Sequence, residues 1–394
     1  MGLGHRFARA GLVAGASLAL VAAATPRATM HRIFDRFAEL LPLVLDDEHF
    51  LDETSQARIG TLLGELDDVS EALEAHAAQR DADFQYHAGG LSNDLREARR
   101  RFDRGAPEEA RFFVVTATQY CVACHSRVPK ARNFPLASRL THEAAIQSLD
   151  GDERALFHVA TRSFGTALDE FEGFLLDPGT DPRRISIGDT IYHYLTIAIR
   201  VERDPARAAR TLAQLAERSD LGDEFQQVVA AWRADLATYG PSVATPPSLA
   251  RARELASAGE AEGAAARTGL VRDLVASSDL LQIIDRDAAP ADERAEAYYW
   301  LGVIGDRHAF AFWHPETATH LERAVRLAPG GPHAQDALAR LEEHWRFVYG
   351  GSGGLHLPRE ANATLEELRH LVAEAKTSAA PPAPGAAHEA DEAD

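Results

Sequence analysis

The sequence predicts an all-α protein, because its apolar residues recur at helical spacing along most of the chain. In residues 53–79 the apolar positions alternate between steps of three and four, which is typical of a helix that packs in a bundle. After residue 140, helical segments carry alanine at packing positions and are separated by Asp-Pro or Gly-Pro breaks. These patterns predict a four-helix bundle followed by an irregular α-solenoid.

The chain is expected to divide into four parts. Residues 1–24 read as a secretory signal: a basic start, an apolar run over residues 11–24 and an Ala22-Ala23-Ala24 cleavage site. That run is too short to span a bilayer, so the mature chain is expected to be exported without a membrane span. Residues 28–132 form the predicted bundle and residues 140–376 the repeat domain. Residues 377–394, rich in alanine, proline and acidic residues, are expected to be a disordered tail.

The predicted bundle has helices at about 28–45, 53–79 and 83–102, and a fourth that begins at Pro107 and ends near Pro129. Gly89 and Gly90 are expected to interrupt the third helix. In an up-down-up-down bundle, the end of the fourth helix lies at the same pole as the start of the first, the end of the second and the start of the third. A methionine, three histidines and several aromatic residues should gather there: Met30, His31, Phe34, His76, Phe84, Tyr86 and His87. Of these, His31 and His87 are expected at the surface.

The fourth helix carries the motif Cys121-Val122-Ala123-Cys124-His125, which holds the only two cysteines of the chain. C-x-x-C-H is the pattern of covalent c-type haem attachment. Residues three and four apart share a helix face, so both thiols can reach one haem edge while His125 binds the iron. A redox disulfide would instead be expected between a strand and a helix, and a zinc site would need further soft ligands. The predicted cofactor is therefore one covalent haem c.

A four-helix bundle with this motif near the end of its last helix resembles the cytochrome c-prime and cytochrome c-556 family. The resemblance covers residues 28–132. It implies His125 as the proximal axial ligand, and a distal side that faces the first helix with either a methionine ligand or an open iron site. Met30 and, as a competitor, His76 are the candidate distal ligands. The family's Phe-Arg or Phe-Lys pair after the motif is replaced here by residues 126–130, Ser-Arg-Val-Pro-Lys.

Three segments of the second part resemble tetratricopeptide-type helical hairpins. The residues that carry this resemblance are Trp300-Leu301-Gly302 with Leu321, Ala324 and Pro329; Ala208, Leu212 and Leu215; and Ala167, Phe171 and Phe174. Breaks are expected at residues 239–247 and 350–354. Histidines and tryptophans between residues 300 and 345 are expected in the core or lining a groove, because no second C-x-x-C-H motif exists: Trp300, His308, Trp313, His314, His320 and Trp345.

The formal net charge of −19 makes nucleic acids and anionic lipid surfaces poor partners and favours a basic or neutral protein. The chain lacks G-x-S-x-G, H-E-x-x-H and a Gly-rich phosphate loop, so no enzymatic activity is predicted. A basic cluster of Arg127, Lys130 and Arg132 suits haem propionates, a docking rim or simply a helix C-terminus.

The predicted function is one-electron transfer by a mono-haem cytochrome in the periplasm of a Gram-negative bacterium, with the repeats docking a redox partner. Two alternatives stay open. One is a haem-based sensor or scavenger of nitric oxide or carbon monoxide. The other is a tetratricopeptide-type assembly scaffold in which the haem is structural.

Overall fold

The computed structural model describes residues 25–45, 50–80, 82–127, 144–261, 267–286, 288–308 and 316–379, and these are almost entirely helical. The predicted all-α class is confirmed. The first part contains α1 (Pro26–Val44), α2 (Glu53–Ala77), α3 (Ala82–Asp103) and α4 (Pro107–His125).

In the described residues, the second part begins with five short or medium helices and a π-helix: α5 (Ala144–Gln147), α6 (Gly151–Ala160), α7 (Phe164–Leu176), α8 (Pro182–Ser186), α9 (Thr190–Leu195) and the π-helix Thr196–Val201. It continues with α10 (Pro205–Leu215), α11 (Asp223–Tyr239), a 3₁₀-helix (Gly240–Ala244), α12 (Leu249–Ala261), α13 (Leu270–Ile284) and α14 (Ala291–Arg307). The remaining elements are α15 (Thr317–Leu327), α16 (Ala334–Val348), β1 (Gly350–Gly351), β2 (Gly354–Leu355) and α17 (Arg359–Ala379).

Helices α1 to α4 surround one hydrophobic core, which we call the first core. Each helix packs against the next along the chain, and α1 also contacts α4. Their starts follow ordinary capping chemistry: Thr25 and Asp52 accept hydrogen bonds from backbone amides of α1 and α2, and Pro26 and Pro107 stand in the first turns of α1 and α4. The four helices therefore begin and end close to the predicted positions, although α4 ends at His125 rather than near Pro129.

Gly89 and Gly90 do not interrupt α3, contrary to the sequence prediction. A Cβ atom at Gly90 would collide with the ring of Tyr120 on α4, whereas one at Gly89 would meet open space. Gly90 therefore serves the close approach of two helices, and the helix tolerates the pair because α3 packs along its length on α2 and α4.

Helices from α6 to α17 share a larger hydrophobic core, which we call the second core; its bulky buried members include Phe171, Tyr194 and Trp232. Helices that follow one another in sequence pack as neighbours: α6 with α7, α12 with α13, α14 with α15, and α15 with α16. At Gly302 on α14, a Cβ would lie 2.7 Å from the Leu321 side chain of α15. The small residue of the predicted hairpin thus lies where a larger side chain would collide with α15.

Other boundaries differ from the prediction. The break at residues 239–247 is partly helical, because α11 reaches Tyr239 and the 3₁₀-helix follows at once. Residues 350–355 form a short antiparallel hairpin in which Gly350 pairs with Leu355. Helix α17 continues to Ala379, beyond the expected start of the tail at residue 377. Residues 1–24, Lys130, Arg132, Trp313, His314 and residues 380–394 lie outside the described residues.

The last turns of α4 join the two cores. Val114 and Ala117 pack in the first core, whereas Val122 packs in the second, and α4 contacts α6. A second junction is made by α3 and α15. The cysteine motif therefore lies where the two parts of the chain meet. Within the described residues, no helix combines the length and apolar character needed to cross a bilayer.

Candidate functional site

Both cysteines of the motif lie in the final turns of α4, partly buried and in no disulfide. Burial raises the pKa of the Cys121 thiol to about 11, so it remains protonated at neutral pH. Redox-active cysteines instead have lowered pKa values. The surroundings of Cys121, and its position at the end of a long helix, differ from those of a thioredoxin-type pair.

His125 is the last residue of α4, and its imidazole is fixed by the second part of the chain. Its Nδ1 atom lies 2.6 Å from the backbone carbonyl oxygen of Ala160, at the end of α6. A carbonyl oxygen can only accept a hydrogen bond, so Nδ1 carries the proton and Nε2 keeps its lone pair. Histidines that bind metals are commonly oriented by this kind of hydrogen bond.

The imidazole of His125 is neutral at physiological pH. Burial lowers its pKa to about 3, and the positive charge of Arg162 contributes in the same direction. Neutral imidazole is the form that binds a metal ion. Arg162 itself lies near Cys124, whose thiolate form would raise the pKa of the guanidinium that burial lowers. The motif thus combines two thiols, a neutral imidazole and a neighbouring cation.

The predicted distal candidates lie on the first two helices. Met30 is partly buried in α1 and packs against the first core, and His76 is partly buried in the last turn of α2. The expectation of a surface position for His87 is wrong, since this histidine of α3 is 3% exposed. Its ring lies edge-on to Tyr120, with centroids 6.4 Å apart, and its charge is among those that lower the pKa of His125.

A buried polar cluster lies beside the motif, at the junction of α3 and α15. We use this name for six residues: Asp83, His87, Arg127, Arg200, Glu316 and His320. Within it, His87 Nε2 is 3.0 Å from Glu316 Oε1, and His320 Nε2 is 3.2 Å from Asp83 Oδ1. The guanidinium of Arg127 pairs with Asp83, and its Nε is 3.7 Å from Glu316 Oε1.

The pKa values in the buried polar cluster reflect burial and mutual pairing. Burial alone would raise the pKa of Glu316, but the positive charge of Arg127 and the contact with His87 hold it well below its usual range. Burial lowers the pKa of His320 to about 4, despite the opposing effect of Glu316. Burial also lowers the pKa of Arg200 to about 10. At neutral pH this region therefore contains an ionised Glu316, a neutral His320 and two guanidinium groups.

Sequence reasoning missed this cluster because its members come from distant parts of the chain. Asp83 and His87 belong to α3, Arg127 follows α4, Arg200 lies in the π-helix, and the rest lie at the start of α15. The one local signal was the four-residue spacing of Glu316 and His320, which places both on one helix face.

The motif residues fit a covalent haem in their chemistry. Two thiols and an imidazole with an available Nε2 are the donor set of a c-type attachment site. A cavity of about 40 Å³ lies against Ala123 and Ser126, next to the buried polar cluster. It admits a water molecule but is far too small for a porphyrin.

Comparisons of the chain with protein-family models, with curated proteins and with solved structures find no match.

Proposed function

We propose that this protein is an exported c-type cytochrome that transfers single electrons through one haem joined by thioethers to Cys121 and Cys124. Its first four helices would form a bundle like that of the cytochrome c-prime and cytochrome c-556 family, and the periplasm would be its compartment. The observation that carries the proposal is the contact of His125 Nδ1 with the Ala160 carbonyl, which leaves Nε2 available for iron.

The chain's own residues would hold and tune the cofactor. When bound, the haem supplies a one-electron iron couple. The Ala160 carbonyl fixes the ring orientation of His125 and makes its Nε2 a stronger donor. Arg162, close to Cys124, supplies a positive charge that suits a cofactor bearing two propionates. Met30 or His76 would occupy the sixth position, and a methionine there gives a higher reduction potential than a second histidine.

The second core would dock the redox partner as an irregular α-solenoid of the tetratricopeptide kind. Supporting this, sequential helices pack as neighbours, and Gly302 lies where a larger side chain on α14 would collide with Leu321 of α15. The net charge of −19 favours a basic protein as the partner.

The direct test is to express the complete chain with its first 24 residues in a Gram-negative host that matures c-type cytochromes. We expect one iron per chain and haem that stays attached after denaturation. A low-spin, six-coordinate spectrum supports the electron carrier, whereas a high-spin, five-coordinate one favours gas binding instead. Colourless exported protein, or a disulfide between Cys121 and Cys124, would refute the proposal.

Matched variants test whether haem attachment depends on the two cysteines and not on other buried residues. Replacing Cys121 and Cys124 together by alanine should abolish covalent haem. His193→Gln is the control, because burial also lowers the pKa of His193 to about 3 although it lies outside the motif. This control should retain the full haem content.

A structural haem in an assembly scaffold is the second candidate function. The observation that favours it is Val122, which lies between the two cysteines yet packs in the second core. Under this alternative, haem-free Cys121→Ala/Cys124→Ala protein would keep its binding partner and the wild-type haem would show no reversible redox couple. Under the electron-carrier proposal, the wild type titrates reversibly.

A further inference from the structure

We propose that the buried polar cluster binds a divalent transition-metal ion, with Asp83, Glu316 and His320 as ligands. One ligand atom of each residue lies within 4.8 Å of the others. This inference goes beyond the proposed haem function, because it uses none of the haem-attachment residues.

The donor set defines the class of ion. Two carboxylates and an imidazole suit Zn²⁺, Mn²⁺ or Fe²⁺, whereas Ca²⁺ and Mg²⁺ prefer oxygen ligands alone. Zinc binds nitrogen and carboxylate oxygen at roughly 2.0–2.2 Å, so small shifts would close these three groups around one ion. His87 is placed to supply a fourth ligand, since its Nε2 is 3.0 Å from Glu316 Oε1.

The second, independent observation is that the buried polar atoms of this cluster make ion-pair contacts but no hydrogen bond of proper geometry. Both oxygens of Asp83, both ring nitrogens of His87 and both ring nitrogens of His320 are buried without a hydrogen-bond partner of proper geometry. Asp83 is 0% exposed and His320 is 5% exposed. Buried polar atoms without proper hydrogen bonds are costly, and a metal ion would satisfy those that serve as its ligands.

Arg127 is the counter-cation of the metal-free cluster. It pairs with Asp83 and lies 3.7 Å from Glu316, so it neutralises the carboxylates that a metal ion would bind. Its side chain is 14% exposed, whereas Asp83 is fully enclosed. Metal binding would displace Arg127 toward solvent. Arg200 would remain in the π-helix, an element found often at functional sites.

Competition between Arg127 and a metal ion for the carboxylates distinguishes a metal site from an ordinary ion-pair network. If Arg127 only neutralises buried acids, its removal destabilises the protein and creates no metal affinity. If a metal ion competes with Arg127, Arg127→Gln strengthens binding of that ion. The substitution keeps a polar side chain of similar length.

The experiment uses untagged, haem-loaded, full-length protein that has been treated with a chelator and then titrated with Zn²⁺ in a calorimeter. We expect one zinc per chain, retained through gel filtration, with affinity that falls as pH drops because protons compete for the ligands. Glu316→Gln and His320→Gln should each weaken binding by at least about 100-fold, since losing even an outer-shell partner costs 10–100-fold. Arg127→Gln should bind more tightly than the wild type.

The control is His308→Gln. His308 is a buried histidine 2.7 Å from Asp273 in the second part of the chain, and its loss should leave zinc affinity unchanged. Thermal melts identify any variant that fails to fold. The proposal is overturned if neither wild type nor Arg127→Gln binds zinc stoichiometrically, or if Glu316→Gln and His320→Gln bind it as the wild type does. Haem content is read from absorbance, so failure of the zinc site would not be confused with failure of the haem proposal.

Discussion

The Nδ1 atom of His125 and the carbonyl oxygen of Ala160 lie 2.6 Å apart, and this contact links the end of α4 to the end of α6. The orientation of His125, the proposed iron ligand, is therefore set by a helix outside the first core. This explains why residues 28–132 alone give an incomplete account of the site.

Removing the imidazole of His125 should change iron coordination without releasing the haem. In His125→Gly, both thioethers remain, so the haem should survive denaturation while the spectrum loses its histidine-ligated form. Added imidazole should restore that spectrum by occupying the space of the lost ring. Absorbance of the oxidised and reduced protein measures both effects, and an unchanged spectrum in His125→Gly would show that His125 is not a ligand.

Gly90→Ala should destabilise the protein by about 1–3 kcal/mol, because the new methyl group would collide with the ring of Tyr120. Gly89→Ala is the matched control, with open space around its Cβ position, and should stabilise α3 by up to about 1 kcal/mol. Urea denaturation followed by circular dichroism gives both free energies. Equal effects of the two substitutions would contradict the close approach of α3 and α4 at this position.

Tyr194→Phe should cost about 1–3 kcal/mol in the free energy of unfolding. The buried Tyr194 hydroxyl lies 2.9 Å from Glu172 Oε1 and 2.7 Å from Thr211 Oγ1, and its loss leaves polar atoms of the second core less well satisfied. Tyr349→Phe, at a 36% exposed position, should be nearly neutral. Chemical denaturation compares the two; a neutral Tyr194→Phe would rule out a structural role for this hydrogen-bonded group.

Stability should fall as the pH drops from about 6.5 toward 4. Burial lowers the pKa of His193 to about 3 and that of His320 to about 4, so in this window the unfolded chain binds protons that the folded chain does not. Each such histidine contributes a slope of at most about 1.4 kcal/mol per pH unit. Urea midpoints of metal-free protein between pH 7 and 4 test the sign, and His193→Gln should flatten the profile. Stability that rises as the pH falls would contradict this prediction.

Helix positions could be predicted from the sequence because they depend on local patterns. Apolar spacing located α2, and Pro107 marked the first residue of α4. The Gly89-Gly90 pair was misjudged because its role depends on Tyr120, which reaches it from another helix. Local propensity gave no indication of that tertiary contact.

The cysteine motif could be identified from the sequence for a similar reason: Cys121, Cys124 and His125 lie within five consecutive residues. The hydrogen-bond partner of His125 could not be predicted from the sequence, since the Ala160 carbonyl belongs to the backbone and carries no side-chain signature. His87 and Glu316 were missed because burial and pairing arise only when α3 meets α15.

Val122 has a consequence for the order of biogenesis. Its side chain packs in the second core, between the two cysteines that we propose as haem-attachment residues. On our proposal, the prosthetic group must be joined while the exported polypeptide is still open, and helices such as α6 close over it afterwards. Premature closure would yield apoprotein that is well folded yet permanently colourless.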